Sequence, residues 1–107
     1  MLYAESLLEK RNHRFIHRRA CLNFDLAKLY NESGHQSYVQ FYLDEAKDLF
    51  TVKQRLDPCS AYSYVDYIKL LIWELNNLAL EEEETLEIQI KVEWLFEYAN
   101  STVTSNL

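Results

Sequence analysis

The chain has 107 residues, of which 49% are apolar, with one glycine, one proline and a formal net charge of −6. That length holds one domain and is too short for two cores, and the scarcity of Gly and Pro excludes a turn-rich β architecture. The acidic balance excludes nucleic-acid binding over the whole surface, and the longest apolar run, Leu70 to Trp73, falls far short of the roughly 20 residues of a membrane span.

Residues 2–9 read as a short helical piece with Leu2, Leu7 and Leu8 on one side. It starts without a capping signal, as a piece of a longer chain would. A long helix follows over 12–32, with Asn12 as its N-cap. Ile16, Ala20, Asn23, Ala27 and Tyr30 repeat at helical spacing, and Leu22, Leu26 and Leu29 form a second stripe beside them. Gly34 is placed to close that helix in the left-handed conformation. The next helix covers 36–55, where Val39, Leu43, Ala46 and Phe50 stand at i, i+4, i+7 and i+11. Asp57-Pro58 reads as an N-cap followed by the first helical residue, because Asp satisfies free amides and Pro presets the first turn. The third helix then runs over 58–78 through Ala61, Val65, Ile68, Leu71, Ile72 and Leu75, and frays at Asn76-Asn77. Glu81 to Glu84 suit the positive end of a helix dipole and open a fourth helix. It continues to about 101 through Ile88, Val92, Leu95, Phe96 and Ala99, with a loose polar tail after it.

These elements make two antiparallel helical pairs, 12–55 and 58–101, in an all-α fold, since connections this short force antiparallel neighbours. The pairs share a pattern: Val39, Leu43 and Ala46 recur as Val92, Phe96 and Ala99, displaced by 53 residues. Around the first triad, Leu26-Ala27-x-x-Tyr30-x-x-x-Gly34 completes a motif of Leu and a small residue before a Tyr, with Gly ending the helix. Over about 28 residues this resembles the tetratricopeptide repeat. Asn23 and Val39 depart from the family, which favours an aromatic and an alanine there. Both helices of the first pair are longer than the family's, and the second pair lacks the Leu-small-x-x-Tyr and Gly elements. The resemblance implies antiparallel hairpins in a right-handed array that binds a peptide or partner domain without catalysis. A plain four-helix bundle is the alternative fold.

Few residues suggest chemistry. His13, His17, Cys21 and Asp25 recur every four residues along one helix, but His13 and Cys21 are about 12 Å apart at 1.5 Å per residue, too far to share one metal. His35 and Cys59 could add ligands only from other helices, so no metal site and no cofactor is expected. Cys21 and Cys59 read as separate, reduced thiols of a cytoplasmic protein, for the chain shows no secretory leader. Consecutive acids at 81–84 point in different directions and cannot converge on a metal or substrate. There is no glycine loop for phosphate, no C-x-x-C and no Ser-His-Asp arrangement, so an enzyme is not expected.

Partner binding is the remaining class. Residues 1–55 carry nine Lys/Arg against seven Asp/Glu, a net of +2, while residues 56–107 carry two against ten, a net of −8. In the basic stretch from Lys10 to Arg19, Arg11, Arg14 and Arg18 share a helical face able to grip an acidic surface, with Phe15 assigned to the core. Tyr38, Tyr42 and Tyr62 are candidate contact residues because tyrosine is amphipathic and enriched at interfaces, while Tyr64 is assigned to the core. The expected partner is a protein or peptide, with a homo-oligomer as a further outcome, in an assembly or sensing arm of a larger protein. Neither a membrane nor nucleic acid is expected; a self-associating bundle that binds nucleic acid through residues 10–19 is the alternative function.

Overall fold

A computed structural model describes the backbone of residues 2–58 and 61–105 and the side chains of residues 15–58 and 61–101. Among the described residues the chain is all-α, with four helices and no strand: α1 (Leu2–Glu32), α2 (Gln36–Leu56), α3 (Ala61–Asn77) and α4 (Glu82–Ser105). Their contacts gather into two compact units, Met1–Pro58 and Cys59–Leu107. Each is a helical hairpin, α1 packing on α2 and α3 on α4.

The first hairpin turns within three residues. Gly34 has φ +80°, the Gly34 N–H donates to the Asn31 carbonyl at 3.3 Å, and the His35 N–H donates to the Tyr30 carbonyl at 2.9 Å. These two bonds are the Schellman pairing, which satisfies helix-end carbonyls and needs a left-handed residue where Gly34 stands. The expected stripes then face inward. Ala20 and Ala27 of α1 are fully buried, as are Leu43, Ala46 and Phe50 of α2, with Val39 nearly so. Lys53, two turns after Ala46, is also buried and reaches the Asp57 carboxylate at 3.5 Å.

Several expectations are corrected here. The separate piece at 2–9 and an N-cap at Asn12 do not occur: α1 runs unbroken from Leu2, since Glu9-Lys10-Arg11 are good helix formers and no Gly or Pro interrupts them. Phe15, assigned to the core, is 59% exposed, and Leu22 and Leu29 of the second stripe are 58% and 60% exposed, because a helix packed on one neighbour buries one stripe only. Asp57 ends α2 rather than starting the next helix: its N–H donates to the Lys53 carbonyl and its carboxylate holds the Lys53 ammonium. The third helix is described from Ala61, not from Pro58.

In the second unit, α3 buries Tyr64, Tyr67, Ile68 and Leu71, together with Ser63, Leu70 and Glu74. Val65 and Ile72, expected in the core stripe, are exposed. Apolar residues cover most of this helix's circumference, so periodicity alone does not choose the inward face, and the larger tyrosines take it. α4 opens as expected: Glu82, Glu83 and Glu84 occupy its first turn, and the Thr85 N–H and hydroxyl both donate to the Glu81 carbonyl, at 2.9 Å and 3.0 Å. It buries Leu95, with Ile88, Val92 and Ala99 half-buried, and it continues through 101–105, where a loose tail was expected. The 53-residue correspondence is uneven in burial. Val39, Leu43 and Ala46 are buried, whereas Val92 and Ala99 are half-buried and Phe96 is 58% exposed.

Candidate interaction surface

Two features of the surface stand out, one in each unit. In the second unit a groove of about 570 Å³ runs along the seam where α3 and α4 pack. Its apolar lining comes from Val65, Ile68 and Ile72 of α3 and from Phe96 and Ala99 of α4. Among the described residues the polar side chains of the lining are Lys69 and Asn100, and the Lys69 ammonium leans toward the Asp66 carboxylate at 3.9 Å. The lining offers mainly apolar area to water. Exposed aromatic surface continues on α4, where the Trp94 and Tyr98 rings stack at 5.3 Å and Tyr98 meets Tyr64 at 5.4 Å.

In the first unit the tyrosines near the turn gather into one cluster. Tyr30 stacks on Tyr42 at 5.4 Å, nearly parallel, and lies against Tyr38 at 5.0 Å. The His35 ring packs edge-on against Tyr30 at 6.1 Å, and its Nδ1 lies 3.1 Å from the Ser33 hydroxyl. The Tyr42 phenol is held above its ordinary value, first by lost hydration and then by Tyr30, which opposes its anion and hydrogen-bonds to it; Tyr38 adds a smaller repulsion. Tyr38 is exposed and Tyr42 half-buried, so the cluster presents a partly open aromatic face.

The remaining candidates are placed as follows. Tyr62 is 77% exposed and Tyr64 is buried, as expected of each. Arg18 is exposed, whereas the side chains of Arg11, Arg14 and His13 lie outside the described residues. His17 and Cys21 are both half-buried and meet across one helical turn, Nε2 to Sγ at 3.6 Å, with the imidazole edge-on to Phe50 at 5.9 Å. Asp25 takes no part in that pair and bonds Lys28 at 3.3 Å. Cys21 is half-buried in α1; Cys59 lies outside the described residues. Leu26 is half-buried beside the fully buried Ala27.

Residue-by-residue reading of the sequence missed the seam. Val65, Ile72 and Phe96 were assigned to the core because each continues an apolar stripe. The available signal was excess: α3 and α4 carry more apolar positions than one buried face can use.

The fold and surface together define a class, an all-α protein of paired helical hairpins with an apolar groove along one seam. Comparison with protein-family models, curated proteins and solved structures finds no significant match to this chain. No helix among the described residues is long and apolar enough to cross a membrane.

Proposed function

We propose that this chain is a non-catalytic protein–protein interaction module, a degenerate tetratricopeptide-like pair of hairpins that serves as a scaffold or sensing arm by binding a helical segment of a partner. The observation that carries this reading is the seam of α3 and α4. Val65, Ile72 and Phe96 stand exposed along an apolar groove, and soluble proteins seldom leave such contiguous patches uncovered without a binding role. A groove between two helices accepts a third helix by its apolar face, the same ridge-into-groove packing that builds helical cores.

The acidity of the surrounding unit states the partner's chemistry. Residues 59–107 carry two basic against nine acidic side chains, a net of −7, so an amphipathic helix with basic flanks is favoured over an acidic one. The test is fluorescence anisotropy with a labelled, lysine-rich amphipathic helical peptide. Saturable binding that is lost in Phe96→Glu supports the reading. In a parallel titration with duplex DNA, micromolar binding at physiological salt that disappears in the Arg11→Glu, Arg14→Glu, Arg18→Glu variant would overturn it in favour of a nucleic-acid binder.

A further inference from the structure

We propose that the occupant of the α3/α4 seam is helix α1 of a second copy of this chain, so that the protein associates head to tail. The inference rests on the reading of the seam as a binding groove and adds its ligand. The reason lies on the outer face of α1. Phe15, Leu22 and Leu29 follow one another at seven-residue intervals, and all three are more than half exposed. Residues seven apart on a helix fall within about 20° of one line, so these three form a single apolar ridge. It spans about 21 Å at 1.5 Å per residue, and the α3 side of the seam from Ala61 to Ile72 spans about 16 Å. Ridge and groove match in kind, both being apolar, and the ridge is long enough to run the whole of the α3 side.

Charge decides which surface meets which. Arg18 and Arg19 lie between Phe15 and Leu22 along α1, one on each side of the ridge, and both are exposed. On α4, Glu93 stands one turn before Phe96 and Glu97 directly follows it; both are exposed. Seam against seam would oppose two units of net −7, and ridge against ridge would oppose arginines with arginines. Only ridge into seam brings unlike charges together around an apolar contact. Such a pairing uses different surfaces on the two copies, so a single contact leaves the seam of one copy and the ridge of the other unoccupied.

Sedimentation equilibrium of the full chain, together with two variants, tests this. Leu22→Glu removes the ridge and Phe96→Glu removes the seam; both positions are exposed, and each variant is expected to keep its helices by circular dichroism. The wild type is expected to gain average mass with concentration, and to associate several-fold more weakly as NaCl rises from about 0.1 M to about 0.5 M. Each variant alone is expected to be monomeric. Their equimolar mixture is expected to form a complex that stops at two chains, because it contains one working ridge and one working seam. A wild type that stays monomeric, a variant that still associates alone, or a mixture that does not associate would overturn the proposal. If the wild type is monomeric yet binds the lysine-rich peptide in a manner abolished by Phe96→Glu, the seam remains a binding groove and only the second copy is rejected. If neither the chain nor the peptide binds, both readings fail.

Discussion

The two hairpins solve the same packing problem with different residues. In Met1–Pro58, alanines stand on both helices at fully buried positions, Ala20 and Ala27 on α1 and Ala46 on α2, with Leu43 and Phe50 filling the space between turns. Small residues let two backbones approach, and a glycine turn holds them in register. In Cys59–Leu107 the buried side chains of α3 are bulkier, Tyr64 and Tyr67 among them, and α4 contributes Leu95 as its buried anchor. Where the first hairpin has Leu43, fully buried, the second has Phe96, more than half exposed at the displacement of 53. One hairpin buries Val39, Leu43 and Ala46, and the other leaves an apolar groove along its seam. The comparison teaches that the same spacing of apolar residues can be buried in one hairpin and left partly open to water in the other.

Substituting the same residue type in each hairpin is the sharpest way to break this contrast. Phe50→Ala should cost about 3–5 kcal/mol, the usual penalty for emptying a core phenylalanine site. Phe96→Ala removes a ring already facing water and should stay within about 0.5 kcal/mol. Urea midpoints decide the matter, and equal losses would mean that the second seam is as closed as the first. Adding volume probes the same difference in reverse. Ala46→Leu overpacks a fully buried contact and should cost about 1–3 kcal/mol. Ala99→Leu extends into the groove and should be near neutral, within about 0.5 kcal/mol.

The turns give a smaller effect. Gly34→Ala should destabilise by about 1 kcal/mol through the backbone alone, since an added Cβ would meet no atom within 4 Å but φ of +80° disfavours it. Among the described residues no non-glycine has positive φ, so alanine substitutions in the connector of the second hairpin carry no such penalty. The smallest effect is electrostatic. Tyr42 holds its proton more tightly folded than unfolded, so its contribution is complete below the ordinary phenol value of about 10 and fades as pH rises through the raised one. Absorbance titration of the tyrosinates should place one group late, and Tyr30→Phe should bring it back toward the ordinary range.

Much of the first hairpin was legible in the sequence, because one glycine and one clean stripe leave a single solution: Gly34 marks the turn, and Val39, Leu43, Ala46 and Phe50 can face only one way. The second hairpin was less legible. Tyr64, Val65, Tyr67, Ile68, Leu71 and Ile72 cover so much of α3 that helical periodicity admits several inward faces. The choice among them depends on which side chains fill the space, and that is a tertiary matter. Asp57-Pro58 misled for a related reason: a carboxylate can cap the following helix or bond the preceding one, and the buried Lys53 ammonium, invisible in a linear pattern, draws it backward. The apolar ridge of α1 was half legible, since Arg18 at its flank was chosen for charge while Phe15 on it was assigned to the core.

Amide hydrogen exchange of the 107-residue chain at low concentration tests the contrast between the hairpins most directly. Slow exchange requires backbone hydrogen bonds held under well-packed side chains, and open seams exchange by local opening. The account predicts the slowest amides between Ala20 and Ala27 and between Leu43 and Phe50, with markedly faster exchange from Lys91 to Asn100 on α4. Protection of residues 91–100 equal to that of residues 43–50 would contradict it, because the second seam would then be closed by the chain itself.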